Sequence, residues 1–448
     1  MLRRWSIFII LALFFSSSCR STPPPTVTVI PVPTFTPTPA TAMRITATAP
    51  LSTSVESARE PSADMPLPAP LYFLNQQGQI MRLAADGVTV QPITSEAAPI
   101  TTFDVDPTGA YLVYVSNNDL IRTNAWGQER HLLLAGGPPA AAGTAAQWKN
   151  NLRYVAFAPD GKQVAFVQNG IQLIRDISVL EPIVTMETLL SNGPEPELLP
   201  GAQFYFLAPG AYPTLWSPDG QRLFITGGRM ATDSMSHLIL DLTTRQLTEI
   251  KPVPPSQQES ERSRQSGLAC YTAMLGTTQR WARTATAIWS ASDFYVMVGL
   301  PGLAKLNALD GTVAPLFYAY PVCHGDTTVE NSTQMRLFRS IYESTTGALW
   351  GFVSTNYEAE RPLVTSMQMV QFDPAGAQIT PLRTDSHYLG HEILWAEDDR
   401  GAVVIARERV GDELIQDRGN LLWLPSDGGS AFDLGVDGRW LRWGYASR

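Results

Sequence analysis

The stretch Leu215–Ile225 (LWSPDGQRLFI) decides the fold of this chain. It opens with an aromatic strand end, continues through Ser-Pro-Asp-Gly and closes with a second apolar run. Proline fixes φ at the first corner of a tight turn, aspartate bonds its own backbone two residues on, and glycine adopts positive φ without a steric cost. The stretch therefore predicts a β-hairpin in which Pro218, Asp219 and Gly220 are structural turn residues.

The same pattern recurs along the chain. The clearest second copy is Phe157–Val167 (FAPDGKQVAFV), with Pro159, Asp160 and Gly161 as its turn residues. Looser copies keep the strand residues and change the turn, and their marker residues are Val105, Trp289, Tyr342 and Trp395. The markers lie roughly 50 to 70 residues apart, which is the span of one four-stranded repeat with its loops.

Repeats of this length that consist only of strands predict an all-β fold, and specifically a β-propeller. The segment from Leu71 to Val90 contains three strands and has no first strand ahead of it, whereas Trp440–Tyr445 supplies a strand at the other end of the chain. We expect the C-terminal strand to pair with the N-terminal blade and close the ring, because closure removes exposed strand edges. The count is seven blades, or six if residues 335–382 fold differently.

The repeats resemble the TolB-type, WD40-like propeller repeats, whose blades carry a similar Ser-Pro-Asp-Gly turn between their first and second strands. The resemblance covers residues 67–448, with two good copies and four partial ones. It implies the fold and leaves the activity open, because the turn of that family is structural.

Residues 1–19 have the features of an export signal. Arg3 and Arg4 precede the apolar run Trp5–Phe15, which is too short for an ordinary spanning helix, and small residues lead to Cys19. The segment resembles a bacterial lipoprotein signal peptide, which implies lipidation of Cys19. Ordinary signal cleavage and an uncleaved N-terminal anchor are the alternatives. We expect an exported protein, held as a lipoprotein on the extracytoplasmic face of a bacterial membrane or secreted.

Residues 20–66 are dominated by Thr, Pro, Ala and Ser. Proline removes backbone donors and favours extended conformations, and the apolar content is too low for a core, so we expect a disordered tether. The tether joins the signal segment to a propeller at residues 67–448. In this arrangement the chain meets the membrane only through its N-terminal lipid anchor.

Charge and cysteine content narrow the partners and the compartment. The formal net charge of -9 argues against a nucleic-acid partner, which needs a basic surface. Besides Cys19 the chain has Cys270 and Cys323, an even pair in an exported setting that predicts a possible disulfide. Two free buried thiols are the alternative.

Long insertions gather at one end of the predicted propeller. They lie at residues 135–152, 191–213, 251–285 and 318–334, with second-to-third-strand connections at 227–236, 355–363 and 408–419. Long loops that a repeat scaffold does not need are usually functional or disordered, so this end is the expected recognition surface. The aromatic group Phe204, Tyr205, Phe206 and Tyr212 is its candidate recognition loop, or a loop fastened to the propeller by its own apolar side chains.

Motifs that would identify an enzyme are absent from the sequence. There is no Gly-x-Ser-x-Gly turn, no Gly-rich phosphate loop and no paired Cys-x-x-Cys spacing. Asp385, His387, His391 and Glu392 include metal-ligating types, but His391 and Glu392 are adjacent in a strand and point to opposite faces. We therefore assign no catalytic residue, metal or cofactor.

The sequence favours a noncatalytic binding or scaffold module that recognises a protein or a cell-envelope glycan through its loop-rich end. One alternative is an extracytoplasmic glycan hydrolase or lyase whose acidic residues converge at the mouth of the propeller channel. Another is an assembly subunit that works through the sides of the propeller. The fold by itself does not choose among them.

Overall fold

The computed structural model describes most of the region predicted to be the propeller. The described residues are 67–141, 150–178, 186–191, 204–208, 216–229, 234–249, 257, 261, 264, 286–289, 294–298, 302–307, 309–311, 313–318, 336–354, 366–375, 378–407, 409–410, 413–414 and 419–444. The predicted signal peptide and tether, with Cys19, and also Tyr212, Cys270 and Cys323, lie outside them. The predictions for those residues remain predictions.

The described residues form thirty β-strands. In chain order they are β1 Leu71–Leu74, β2 Ile80–Leu83, β3 Val90–Pro92, β4 Ile100–Val105, β5 Tyr111–Ser116, β6 Asp119–Asn124, β7 His131–Ala135, β8 Arg153–Phe157, β9 Val164–Val167, β10 Gly170–Ile174, β11 Met186–Ser191, β12 Phe204–Ala208, β13 Arg222–Arg229, β14 Ser234–Asp241, β15 Leu247–Glu249, β16 Thr286–Trp289, β17 Phe294–Val298, β18 Gly302–Leu306, β19 Val313–Tyr318, β20 Phe338–Glu343, β21 Leu349–Ser354, β22 Ser366–Asp373, β23 Gln378–Pro381, β24 His387–Trp395, β25 Gly401–Ala406, β26 Arg409–Val410, β27 Glu413–Leu414, β28 Asn420–Pro425, β29 Phe432–Asp437 and β30 Arg439–Trp443.

These strands build seven antiparallel units of four strands, which we call blades 1 to 7, and a short pairing of β22 with β24 joins blades 6 and 7 into one sheet. Blade 1 contains β30 and β1–β3, blade 2 β4–β7, blade 3 β8–β11, blade 4 β12–β15, blade 5 β16–β19, blade 6 β20–β23, and blade 7 β24, β25, β28 and β29. The prediction of a seven-bladed propeller is confirmed. Residues 335–382, on which the six-blade alternative depended, contain blade 6.

The C-terminal strand completes the N-terminal blade. β30 pairs antiparallel with β1, with Leu71 opposite Trp443 and Tyr72 opposite Arg442. This is the pairing that the missing first strand of blade 1 predicted. It covers the edge of β1, whose backbone groups would otherwise lack a ladder on that side.

The apolar core lies between neighbouring blades. Leu71 and Phe73 of blade 1 pack with Trp423 of blade 7 in one cluster, and Val113 of blade 2 packs with Phe166 of blade 3 in another. Strands buried on both faces read as continuous apolar runs, which is the pattern of β9 (VAFV) and β25 (GAVVIA).

The two Pro-Asp-Gly turns have the conformation that their residue types favour. Gly161 and Gly220 have φ of +68° and +67°, and their amides donate to Ala158 O and Ser217 O at 2.9 and 2.8 Å. Asp160 Oδ1 accepts from Lys162 N at 2.8 Å, and Asp219 Oδ1 accepts from Gln221 N at 2.9 Å. Each turn thus satisfies its own backbone groups while it reverses the chain.

We call the end of the propeller that carries these turns the turn end, and the opposite end the loop end. The first strand of each blade (β30, β4, β8, β12, β16, β20 and β24) is its inner strand. Inner strands of adjacent blades contact one another, as β24 contacts β30, β30 contacts β4, and β4 contacts β8. In propellers the strands at this position line the central channel, and we call the inner strands the channel wall.

Several residues predicted to lie in loops belong to strands. Phe204–Ala208 is β12, which pairs with β13, and the loop assignment of Phe204, Tyr205 and Phe206 was wrong. β13 and β14 extend through Arg229 and from Ser234, well into the predicted 227–236 loop. The 408–419 segment contains the hairpin of β26 and β27. Pairing with a neighbouring strand, rather than local composition, decided the structure of these segments.

Candidate functional site

Register shifts are most frequent at the inner strands of this fold, although four of the ladders between third and fourth strands also contain one. In six of the seven described inner-to-second-strand ladders the register shifts, and only the ladder between β16 and β17 is regular. β-bulges bend a strand and re-aim its side chains, and they are frequent at barrel rims and next to active sites. The channel wall is therefore the candidate functional site.

Three of these bulges share a residue pattern. Tyr154, Ser340 and Trp440 have φ of +51°, +44° and +62°, and each directly follows an arginine: Arg153, Arg339 or Arg439. Positive φ is uncommon outside glycine and asparagine and is tolerated where the surrounding structure enforces it. The arginine in front of each of these three residues is the part of the pattern that the sequence shows. It could have pointed to the channel wall.

Two carboxylates of the channel wall converge on one guanidinium. Arg442 of β30 contacts Asp104 of β4 (Nε to Oδ1, 2.8 Å) and Glu392 of β24 (Nη1 to Oε1, 3.6 Å). The three side chains are 15–16% exposed. They belong to blades 1, 2 and 7, so this ion-pair network joins three neighbouring blades.

Backbone amides complete the coordination of both acids. Glu392 accepts hydrogen bonds from Trp440 N and, at 2.6 Å, from Leu441 N, and Asp104 Oδ2 accepts from Phe157 N of blade 3 at 2.8 Å. Burial raises the pKa of Glu392 and of Asp104, and the charge of Arg442 opposes that effect in both. The acids hold the inner strands together, and each faces a cation that favours its ionised form.

Tryptophans add hydrogen bonds between inner strands. Trp216 Nε1 donates to Ala156 O at 3.3 Å, Trp395 Nε1 to Ser340 Oγ at 2.9 Å, and Trp443 Nε1 to Trp395 O at 2.7 Å. Each bond crosses from one blade to its neighbour. Two of the marker residues, Trp216 and Trp395, are among these tryptophans, and an indole there both fills the space between blades and donates a bond across it.

Of the residues considered as metal ligands, Asp385 and His387 contact one another, Glu392 bonds elsewhere, and the side chain of His391 lies outside the described part of the chain. Asp385 accepts two hydrogen bonds from Arg383 at 2.7 and 2.8 Å and contacts His387 Nε2 at 2.8 Å, whereas Glu392 is engaged by β30. Burial alone would raise the pKa of Asp385, but the hydrogen bonds and charges of Arg383 and His387 lower it to about 2. Among the described residues, no group of three or more His, Cys, Asp or Glu side chains could hold a metal ion.

The candidate recognition residues are only partly placed. β12 brings Phe204, Tyr205 and Phe206 into the inner strand of blade 4, with Phe204 opposite Arg229 at the loop end. Farther along the chain, Trp216 forms an isolated antiparallel β-bridge with Leu223 of β13. A role of these aromatics in recognition stays a prediction. Within the described residues no helix has the length and apolarity that crossing a membrane would require.

No protein-family model matches this chain, and no curated protein matches it. Solved structures similar in fold include TolB from Acinetobacter baumannii (13% identity, 84% of this chain and 81% of that chain, TM-score 0.37). They also include oligogalacturonate lyase from Vibrio parahaemolyticus (11%, 81% and 83%, 0.47) and a puromycin hydrolase (10%, 81% and 51%, 0.49). Such low identities and TM-scores transfer no activity to this chain, and its strand topology defines the fold.

Proposed function

We propose that this chain is a noncatalytic binding or scaffold module, exported and tethered to the membrane, that recognises a protein or a cell-envelope glycan at its loop end. The observation that carries the proposal is the bonding of Asp104 and Glu392. A glycan hydrolase needs one carboxyl group that delivers a proton and a second that is free to act as base or nucleophile. Here Arg442 and backbone amides occupy both groups.

We expect the ligand at the loop end, because the inner strands depart from regular pairing there. The bulged parts of the inner strands lie toward the loop end, because the Pro-Asp-Gly turns occupy the opposite ends of the same strands. Long connections join the same end. A rigid ring that holds an irregular rim is the arrangement by which repeat scaffolds present binding residues.

The alternative is a glycan hydrolase or lyase with its active site at the channel mouth. The observation that favours it is the raised pKa of Glu392 and Asp104, since perturbed carboxyl groups cluster at functional sites. In that case one acid would leave Arg442 when substrate binds. The Glu392→Gln variant would then lose glycan cleavage while keeping glycan binding.

Cross-linking of the tagged full-length protein in intact producing cells, followed by mass spectrometry, tests the proposal. We expect one enriched protein, or one enriched glycan fragment, that is lost when residues 192–203 are shortened at the loop end. The matched control is Trp126→Ala, which changes a 55% exposed side chain in the turn between β6 and β7 at the turn end. Enrichment that is absent, or that the control abolishes equally, would contradict the proposal.

A further inference from the structure

Exposed apolar side chains are concentrated at one end of the propeller. In the described part of the chain, seven large hydrophobic side chains are exposed. Each lies either in a turn between a third and a fourth strand or within the first two residues of a fourth strand. Third strands run toward the turn end and fourth strands run back from it, so all seven lie at the turn end. They are Val88, Val90, Trp126, Leu132, Met186, Leu247 and Leu309.

These seven residues, which we call the apolar rim, extend over five consecutive blades. Blades 1 and 2 contribute two each, and blades 3, 4 and 5 contribute one each. Their exposure ranges from 38% for Val90 to 72% for Leu309. Single apolar residues scattered over a surface are normal, whereas a set confined to one end of a molecule indicates a contact surface.

The turns beside the rim have an ordered backbone. In every blade, an Asp or Asn side chain of the turn between third and fourth strands accepts a hydrogen bond from the backbone amide two residues on, at 2.9 or 3.0 Å. Val88, Trp126 and Leu309 are the donating residues in blades 1, 2 and 5. Seven turns of one construction thus hold these side chains at one end of the ring.

Trp126 shows that exposure and a fixed position coexist on the rim. A Cβ at the next residue, Gly127, would lie 1.9 Å from Ile93 O, so the turn of blade 2 is closely packed against blade 1. The guanidinium of Arg82 lies over the indole, 4.4 Å from its centre, and Trp126 is nevertheless 55% exposed. An indole at the surface with a cation beside it is the combination found where proteins meet lipid headgroups.

The chain enters the propeller beside the rim. Leu67 is 3% exposed and packs in the cluster between blades 7 and 1. Its amide donates to Ala85 O at 2.7 Å, and Ala85 belongs to the turn that carries Val88. The 66 residues before Leu67, with the predicted lipid anchor at Cys19, therefore join the propeller at the turn end.

We propose that the turn end rests on the lipid bilayer to which the chain is anchored, with the side chains of the apolar rim among the lipid headgroups. A bilayer is flat and meets side chains from five blades at once, whereas a protein groove would bury only a few of them. The anchor keeps this surface at high local concentration, so weak apolar contacts are sufficient. The inference rests on the export and anchoring in the proposed function and deepens it, because it turns the loop end away from the membrane.

The contact is apolar rather than electrostatic. The turns at the same end carry carboxylates, among them Asp86, Asp176 and Asp241, and the formal net charge of the chain is -9. These charges oppose the attraction that anionic lipids exert on basic proteins. Docking of the purified full chain should therefore persist on vesicles of phosphatidylcholine alone and at raised ionic strength. Loss of docking under either condition would contradict an apolar contact.

Photo-cross-linking from the rim tests the proposal in intact producing cells. Trp126→benzoylphenylalanine and Leu309→benzoylphenylalanine are made separately in the full-length chain, and the adducts formed on irradiation are identified by mass spectrometry. We expect lipid adducts at both positions. Both side chains are exposed at the surface, so the substitutions leave the core intact.

Gln77→benzoylphenylalanine is the matched control. Gln77 is exposed and is the donating residue of a turn of the same kind, with its amide 3.0 Å from Asn75 Oδ1. This turn joins the second and third strands of blade 1 and therefore lies at the loop end. We expect no lipid adduct there. Trp126→Ala removes only one contact of the rim, so a partner bound at the loop end should remain cross-linked in that variant.

The other outcomes overturn the proposal. Protein adducts at positions 126 and 309 would show that the rim binds a protein, and lipid adducts of equal yield at position 77 would show that the propeller has no preferred orientation. A chain found in the membrane fraction without lipid adducts would refute the docking and leave the anchoring intact. A chain absent from the membrane fraction would refute both.

Discussion

Arg383 shows how a single buried cation organises the boundary between two blades. Its side chain is 3% exposed, and its Nη1 donates to Pro425 O and Gly429 O of blade 7 at 2.7 and 2.6 Å. Its other nitrogens hold Asp385, which in turn contacts His387. Charge-assisted, bidentate geometry makes such a pair stronger than an ordinary surface contact.

Replacement of Asp385 by Asn should remove part of the stability of the protein at neutral pH. The folded-state pKa of about 2 lies below the ordinary value of about 3.9. The contribution of the carboxylate is therefore fully present above about pH 4 and is lost as the pH falls toward 2. Thermal midpoints of the wild type and Asp385→Asn, measured from pH 7 to pH 2, should converge over that window.

Asp427→Asn serves as the control for this pH series. Asp427 is an exposed turn carboxylate that accepts from Gly429 N at 2.9 Å, and its variant should follow the wild type with a constant offset. A gap between the wild type and Asp385→Asn that stays constant down to pH 2 would refute the assignment.

The Pro-Asp-Gly turn joins the first strand line to the second strand in blades 3 and 4. A Cβ at Gly161 would lie 3.5 Å from Asp106 Oδ2 and 3.6 Å from Pro107 Cδ, which is ordinary contact. Space is therefore not the reason for glycine at this position. The reason is φ of +68°, a conformation that costs most other residues energy.

Gly161→Ala should lower the free energy of unfolding by about 1–2 kcal/mol, because alanine is strained at positive φ. Gly161→Asn should lower the free energy of unfolding by less, because asparagine tolerates the left-handed region. This is expected even though asparagine has a larger side chain than alanine. Urea unfolding midpoints of the two variants rank them. If the larger side chain proves the more damaging, steric contact rather than backbone conformation controls this turn.

At the scale of the whole molecule, β30 joins the ends of the chain. It pairs with β1, supplies Arg442 to the ion-pair network with Asp104 and Glu392, and places Trp440 Nε1 3.0 Å from Phe103 O of blade 2. One strand therefore contributes to blades 7, 1 and 2. Its contacts join segments that lie hundreds of residues apart, and Arg442 and Asp104 are separated by 338 positions in the sequence.

Truncation after Gly438, which removes β30, should destabilise the protein severely, because it exposes the edge of β1 and leaves Asp104 and Glu392 without their cation. We expect loss of amide protection in β1 by hydrogen exchange and association by size-exclusion chromatography. Truncation after Gly444 retains all of β30 and should behave as the full chain. Equal protection of β1 in the two truncated chains would show that β30 does not close the fold.

Sequence alone determined the repeat architecture, because turn chemistry and strand periodicity are local properties. The Pro-Asp-Gly residues, the apolar runs and the unpaired strand at Trp440–Tyr445 were enough to predict seven blades and their closure. The same local signals placed Phe204–Phe206 in a loop, which was wrong. These residues form a strand because they pair with β13, which follows the Pro-Asp-Gly turn. Local composition cannot show which distant strand is available as a partner.

Only the tertiary structure decided the composition of the channel wall. In the sequence, Asp104, Glu392 and Arg442 are single charges in three separate strands, and nothing in their neighbours links them. The pairing of the inner strands and the packing between blades bring these three side chains together. A shift of one residue in a strand moves a side chain to the other face, so contacts of this kind depend on register that is fixed by packing between blades.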